Sequence, residues 1–283
     1  MEGTRVRGLR EQDIDVAIAL TDLEAWGYTP ADFRRLLALA PEGCFAAEVR
    51  GRVVGVLTTT TYDGLAFLGA VIVSPELRGK GVGKTLMEAA LDHLQTTGVR
   101  TVRLNAYLRA VRFYEGLGFR GEYEVIRWHG PATGGPFRGV RPVRQDDLGR
   151  LARMDARYFG ASRRKLLDRL AEEVPTTFLV ADRAGSLRGF IVGIPGGGTC
   201  EIGPWIAERD SAGVAGNLYN GLVAAAGTPE VGFSGPSTNV GLLEFVKGVR
   251  HAELFRTLRM WWGADDFPGD PAGVWAVGGL EKG

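Results

Sequence analysis

Seven consecutive residues, Arg78-Gly79-Lys80-Gly81-Val82-Gly83-Lys84, bring together three glycines and three cations. Glycine lets the backbone turn successive N–H groups inward, and a helix starting near Gly83 adds the positive end of its dipole. The combination suits a phosphate-type anion. Glycines alone would also make a plain flexible turn, but the basic flank and the strand–loop–helix order favour the anion site. Two nucleotide motifs nearly match and both fail. The P-loop pattern GxxxxGK[ST] needs glycine where Arg78 stands, and the dinucleotide pattern GxGxxG needs it where Lys84 stands. The preceding strands also read as an antiparallel meander, not as a strand–helix–strand unit.

The elements that must position this loop follow from the pattern around it. Glu11 to Ala25 and Pro30 to Ala40 read as helices, the second with Thr29 as N-cap and Pro30 at its first position. Cys44 to Val49, Val53 to Tyr62 and Leu65 to Val73 are rich in Val, Thr and Phe and read as successive antiparallel strands. Gly83 to Gln95 is predicted helical, with Leu86, Ala90 and Leu94 forming an apolar stripe. Thr101 to Ala106 is a strand, Arg109 to Leu117 a helix closed by Gly118, and Tyr123 to Trp128 a last strand.

The chain then repeats itself. Val6-Arg7-Gly8-Leu9-Arg10-Glu11-Gln12-Asp13 is echoed at an offset of 134 by Val140-Arg141-Pro142-Val143-Arg144-Gln145-Asp146-Asp147. Phe45 to Thr58, with a turn at Arg50-Gly51-Arg52, is echoed by Phe178 to Gly193 around Ala184-Gly185-Ser186. Gly69-Ala70-Val71-Ile72 meets Gly203-Pro204-Trp205-Ile206, and Arg127-Trp128-His129-Gly130 meets Arg259 to Gly263. Four echoes in one order at near-constant spacing indicate a tandem duplication. The Pro- and Gly-rich stretch at 131–136 is the natural linker, and each half is long enough to build a core of its own.

Composition narrows the class. The 283 residues are 45% hydrophobic and 24% charged with a formal net charge of +1, which argues against a nucleic-acid surface spread over the molecule. Met1-Glu2-Gly3-Thr4-Arg5 lacks a signal-peptide pattern, and no apolar run approaches ~18 residues. Cys44 and Cys200 are expected as two buried thiols without a disulfide. His93, His129 and His251 lack metal-ligand spacing. These features predict a cytoplasmic protein with no metal, no membrane segment and no nucleic-acid partner.

The segment Val71-Ile72-Val73-Ser74-Pro75-Glu76-Leu77-Arg78-Gly79-Lys80-Gly81-Val82-Gly83-Lys84-Thr85-Leu86 resembles the strand, Arg/Gln-x-x-Gly-x-Gly/Ala loop and helix of the GNAT superfamily of acyl-CoA-dependent N-acyltransferases. Downstream, Ala110-Val111-Arg112-Phe113-Tyr114-Glu115-Gly116-Leu117-Gly118-Phe119 resembles that family's second signature. Gly203-Pro204-Trp205 and Arg259-Met260 look like the diverged second half of a tandem GNAT protein. The resemblance implies an α+β chain of two tandem GNAT-like domains, each a mixed, mostly antiparallel twisted sheet flanked by helices. Residues 1–130 would be the catalytic domain, 131–136 the linker and 137–283 a degenerate domain with a structural or acceptor-site role.

The implied function is transfer of an acetyl group from acetyl-CoA to a primary amine by direct attack. Such transfer needs a positioned thioester, a neutral amine, an oxyanion donor and a proton for the departing thiolate. The resemblance assigns the pantetheine arm to the edge at Val71, Ile72 and Val73, and the oxyanion to a backbone N–H near Ala70 or Val71. It assigns the pyrophosphate to the N–H groups from Gly79 to Lys84 (Gly79, Lys80, Gly81, Val82, Gly83, Lys84), with Arg78, Lys80 and Lys84 adding positive charge. Ala110 and Phe113 complete the cofactor side, and Tyr114 stands at the family's general-acid position. A phenol with an unperturbed pKa of ~10 is protonated at neutral pH and can donate to the leaving sulfur; the alternative is a packing role with its hydroxyl on water. The family often has Asn where this chain has Tyr107, and Asn105 is the candidate replacement.

No general base stands out. Glu24, Glu48 and Asp63 are candidates, and ordered water serves equally well. The aromatics of Glu24 to Thr29 either line the amine pocket or anchor the helix turn. In the second half Arg78, Gly81 and Gly83 become Ala212, Ala215 and Asn217, Tyr114 falls opposite Gly248 or Val246, and no base flanks the loop. That half is expected to bind no CoA. The acceptor is a small-molecule or peptide amine, and the protein a monomer or homodimer whose second domain stands in for a subunit. The competing readings are a non-catalytic acyl-CoA-binding regulatory module, and a transferase for a longer acyl-CoA.

Overall fold

The computed structural model describes residues 3–208 and 212–283; Met1, Glu2, residues 209–211 and the side chain of Ala212 lie outside the described residues. The first half runs β1 (Thr4–Gly8), α1 (Ile14–Asp22), α2 (Pro30–Leu39), β2 (Phe45–Val49), β3 (Arg52–Tyr62), β4 (Leu65–Val73), α3 (Val82–Thr96), β5 (Thr101–Tyr107), α4 (Val111–Glu115) and β6 (Arg120–Pro131). The second repeats the plan with β7 (Val140–Pro142), α5 (Leu148–Phe159), α6 (Arg164–Glu173), β8 (Phe178–Arg183), β9 (Ser186–Gly196), β10 (Thr199–Ala207), α7 (Ala212–Ala226), β11 (Glu230–Pro236), α8 (Val240–Gly248) and β12 (Ala252–Gly263). A short β13 (Val274–Ala276) follows.

Local chemistry explains most of these boundaries. Thr29 caps α2: the Asp32 amide donates to Thr29 Oγ1 at 3.3 Å, while the Thr29 amide donates back to Asp32 Oδ2 at 2.9 Å. Leu86, Ala90 and Leu94 of α3 are fully buried, as the apolar stripe requires. The β2–β3 and β8–β9 turns place Arg50-Gly51 and Ala184-Gly185 at positive φ, the hairpin geometry that matches strand twist. Two predicted helices are shorter than expected. A 3₁₀ turn at Glu11–Asp13 precedes α1, and another at Leu108–Ala110 precedes α4.

The duplication is also written in ion pairs. Arg7 donates to both oxygens of Asp13, at 2.6 and 2.9 Å, and to Glu48 at 2.7 Å. At the same offset Arg141 donates to Asp147, at 2.6 and 3.0 Å, and to Asp182 at 2.8 Å. Each arginine ties the first strand of its half to the following turn and to the neighbouring strand. Arg150 adds a further contact to Asp147, and together these cations hold its carboxyl down at about 2.

The mixed sheets of the two halves run on into each other. Thirteen strands form one sheet, ordered β1-β2-β3-β4-β5-β12-β6-β11-β10-β9-β8-β7, with β13 on β10. The last strand of each half is exchanged. β12 pairs antiparallel with β5 (Met260 opposite Leu104), β6 pairs antiparallel with β11 (Trp128 opposite Phe233), and the two exchanged strands pair with each other in the centre. The cores are shared for the same reason: one cluster joins Tyr62, Leu65, Phe67 and Val125 to Leu151, Phe159, Leu166, Phe178 and Val277. The last strand of the first half also outruns its predicted end, continuing to Pro131.

Cys44 and Cys200 are buried free thiols, and burial pushes them up to about 11 and about 12. Among the described residues no helix is long and apolar enough to cross a membrane, and no cluster of His, Cys, Asp and Glu could hold a metal.

Candidate active site

β4 carries the irregularity on which the site is built. Thr58 lies opposite Gly69 and Val56 opposite Ile72, so Ala70 and Val71 form a bulge, with Ala70 at φ +47°. A non-glycine residue in that region is held there by its surroundings. On the other side, β4 and β5 run parallel from Leu65–Thr101 to Leu68–Leu104, and the pairing stops there. β5 continues to Tyr107 against β12, while the edge from Gly69 to Val73 is left without a strand partner on that flank. Apart from Val73 O, which Arg78 occupies, the edge along Val71 to Val73 is open on that flank to an extended ligand, in the manner of strand addition.

The second half has the same splay between β10 and β11, but there it is filled. β13 pairs antiparallel with β10, placing Ala276 opposite Trp205 and Val274 opposite Ile206. From the other side, the Val277 amide donates to Ser234 O of β11 at 2.8 Å, and Asn239 Nδ2 donates to Val274 O at 2.8 Å. The chain therefore occupies the groove that stays open in the first half.

Beyond Val73 the loop turns on two glycines in the left-handed region, Gly79 at φ +72° and Gly81 at φ +84°. Gly81 is the N-cap of α3 and brings no side chain to the helix start. The amides of Val82, Gly83 and Lys84 precede the first intrahelical bond, which runs from the Thr85 amide to Gly81 O at 3.0 Å. Lys80 and Lys84 are exposed at this end of the helix; Lys84 pairs loosely with Glu88 at 3.6 Å. Arg78 also has partners within the chain. Its Nε donates to Val73 O at 2.9 Å and its Nη2 lies 2.9 Å from Glu24 Oε1, so it braces the loop against β4 and the α1–α2 connection.

The second signature meets the first here. A Cβ at Gly83 would touch Phe113 and Val73 at ordinary van der Waals distance, so α4 packs against the start of α3 with Ala110 at its N-cap. Tyr114 is buried in the α3-side core, edge-on to Phe113 and Phe119 at 5.1 and 5.9 Å between centroids. Its hydroxyl makes no hydrogen bond among the described residues, and burial raises the phenol above its ordinary range. The group is therefore protonated at neutral pH. Asn105 does not join this cluster. It shares the opposite face with Arg103, and its Nδ2 donates to Leu280 O at 2.9 Å.

That opposite face lies under α1, α2 and the second half. Trp26 stacks on Tyr107 at 6.2 Å and meets Tyr28 edge-on at 6.2 Å, while Tyr107 leans on Phe255 of β12 at 5.3 Å. Glu24 is bound to Arg78 and Arg109, Glu48 belongs to the Arg7 ion pairs, and Asp63 sits exposed in the β3–β4 turn. None of the three faces the bulge as a free carboxylate. The segment Val277–Gly283 arrives there instead, and a side chain on Gly69 would collide with Glu281. Sequence reading missed this segment; its one signal is the pair Gly278-Gly279, which permits the tight turn that seats it.

In the second half, a groove of about 590 Å³ at the start of α7 gathers Arg138, Arg183 and Arg188 around Gly213, Val214 and Asn217. These cations come from distant strands and loops, so the sequence flank alone did not show them. Asn217 of α7 accepts from the Arg138 amide at 2.8 Å and donates to Gly213 O, one turn back in the helix, at 2.6 Å.

A bulged β4, a splay open towards β5, a glycine loop leading into an uncapped helix and a buried tyrosine behind it define an acyltransferase fold of the GNAT type. Residues 15–119 match the model of the acetyltransferase (GNAT) family, and residues 151–276 match a second acetyltransferase (GNAT) domain model. The chain belongs to the GNAT superfamily as a tandem GNAT-type N-acetyltransferase. It is similar to the holothin acyltransferase of Pseudoalteromonas sp. (strain SANK 73390), with 26% identity over 92% of this chain and 88% of that one. A crystal structure of a protein from Pyrococcus horikoshii shares the fold with a TM-score of 0.85 at 21% identity, covering 100% of this chain and 97% of that chain. A tandem GNAT protein from the clavulanic acid biosynthesis pathway gives a TM-score of 0.64 at 15% identity, covering 92% and 98%.

Proposed function

We propose that the first half transfers an acetyl group from acetyl-CoA to a primary amine, and that the second half binds no CoA. The observation that carries the reading is the contrast between the two splays: open beside Val71–Val73, filled by β13 beside Trp205–Ala207. The first-half residues fit the cofactor. The amides from Gly79 to Lys84 form a cradle of N–H donors for a pyrophosphate, with Lys80 and Lys84 beside it, and the β4 edge has free groups for an amide-bearing arm. Bound acetyl-CoA supplies the acetyl group as an activated thioester.

The remaining work falls to the chain. The bulge at Ala70–Val71 turns backbone N–H groups out of the ladder, where they can stabilise an oxyanion. Tyr114 keeps its proton at neutral pH and donates it to the leaving sulfur. The acceptor amine approaches over the face formed by Trp26, Tyr28 and Tyr107. Thiol release measured with acetyl-CoA and a broad panel of small and peptide amines tests this. Turnover with at least one primary amine supports transfer; acetyl-CoA binding without any turnover favours a regulatory module.

A further inference from the structure

At its wide end the splay is crossed by a chain of contacts centred on one carboxylate. β4 and β5 part after Leu68–Leu104, so Val73 and Tyr107 stand at two separated strand ends. From the β4 side, Arg78 Nε donates to Val73 O at 2.9 Å and Arg78 Nη2 lies 2.9 Å from Glu24 Oε1. From the β5 side, Arg109 Nη2 donates to Glu24 Oε2, and the Arg109 guanidinium sits 4.8 Å over the Tyr107 ring. Each oxygen of Glu24 thus serves a different strand end.

Glu24 belongs to the connection between α1 and α2, which also carries the aromatics Trp26 and Tyr28. That connection is tightly wound. The amides of Glu24, Ala25 and Trp26 donate to Thr21 O, Asp22 O and Thr21 O, at 3.1, 3.0 and 3.3 Å. Ala25 stands at φ +53°, a conformation that a non-glycine residue keeps only when its surroundings hold it. Two residues past Glu24, Trp26 stacks on Tyr107 at 6.2 Å, so the connection is tied to the β5 end twice, once by charge and once by rings. The Glu24 side chain is 17% exposed, against 44% for Arg78 and 65% for Arg109. A lone exposed ion pair contributes little. Here a mostly buried carboxylate is held at both oxygens, which fixes the backbone that carries it.

We propose that Glu24 is a positioning residue for the transfer: it clasps the two strand ends of the splay and sets the acceptor rings against the thioester site. The proposal rests on the acetyl-transfer reading above. With both oxygens engaged, Glu24 is an anchor and not a base, and it touches neither cofactor nor amine. It acts through Arg78, which leads into the glycine loop, and through Arg109 and Trp26, which hold Tyr107. The loop that holds the cofactor and the rings that receive the amine share this one anchor.

The test uses Glu24→Gln, which keeps the shape of the side chain and removes its charge, and Arg109→Gln, which breaks the β5 arm alone. Both are assayed with the primary amine that gives the fastest thiol release in the parent chain. Isothermal titration follows acetyl-CoA binding, and thermal melting follows stability. The expected result is a loss of ~10-fold or more in kcat/KM for the amine, within the ~10²-fold that a 1 Å misplacement can cost. The acetyl-CoA Kd should hold, because the amides of the loop are untouched. The double variant should be no slower than either single one, since residues of one network lose the same contact only once. Additive losses in the double variant, or a Tm and an acetyl-CoA affinity that fall in step with the rate, overturn the clasp. An unchanged kcat/KM in Glu24→Gln, in a chain that turns over amines, overturns this inference alone. A parent chain that releases no thiol with any amine overturns the acetyl-transfer reading and this inference with it.

Discussion

Replacing Tyr114 with phenylalanine removes one oxygen from a side chain packed between Phe113 and Phe119. That oxygen has no hydrogen-bond partner among the described residues, so its loss leaves no protein group unsatisfied and should change stability by under ~1 kcal/mol. For a chain of this size that is a Tm shift of at most ~2–4 °C. Loss of a general acid costs much more, typically ~10²–10⁴-fold in rate, or ~3–5 kcal/mol of barrier at ~1.36 kcal/mol per tenfold. The two magnitudes separate a chemical role from a packing role. The assay is thiol release under saturating acetyl-CoA and amine; Cys44 and Cys200, buried with raised thiol values, should add little background. KM for acetyl-CoA should hold, because the loop and the β4 edge are untouched. The pH profile gives a second reading. Because burial raises the phenol, its proton-donating form persists upward in pH, and wild-type kcat should show no alkaline fall below ~10, the ordinary tyrosine value. An unchanged kcat in Tyr114→Phe, or a large loss of Tm in step with kcat, refutes the role.

Three other outcomes follow from the geometry. Gly81→Glu puts a carboxylate and a side chain at φ +84° in the anion cradle, so isothermal titration should show no acetyl-CoA binding while circular dichroism stays native. Gly69→Val drives a side chain into Glu281 and should lower Tm by the equivalent of ~1–3 kcal/mol, the usual cost of overpacking, read by thermal melting. Asp147, held at about 2 by Arg141 and Arg150, contributes stability that is full above its unfolded value of ~3.9 and fades as pH falls towards 2. Urea melts across that window should therefore lose ~2 kcal/mol from this group, less in Arg141→Ala, whose Asp147 titrates closer to its unfolded value.

What could be read from the sequence was what is local. Thr29-Pro30 starts a helix by capping chemistry, and the Arg78–Lys84 loop and Tyr114 lie on consecutive elements whose order is visible in the chain. The repeat was legible because Arg7 and Asp13, and Arg141 and Asp147, must keep their spacing to make the same bidentate pair. The exchange of β6 and β12 was not. Period-two alternation tells a strand which face is buried and says nothing about which strand lies beside it. Lys282 and Glu281 were hidden for a related reason: two adjacent charges read as a solvated surface, and only the turn at Gly278-Gly279 folds them inward. The charge of Arg78 pointed towards a ligand and gave no sign of its partners within the chain, Val73 O and Glu24.

The exchanged strands also bear on how the two halves could diverge. A reciprocal swap of final strands is what two identical subunits would do across a twofold axis, and the segment 132–139 between β6 and β7 joins them end to end. In a symmetric pair every substitution falls on both copies at once, so neither site could be spared. Once the copies share a chain, a change at Ala215 or Asn217 touches one groove only. The second half can then fill its own splay with β13, while still lending β12 and the segment Val277–Gly283 to its neighbour.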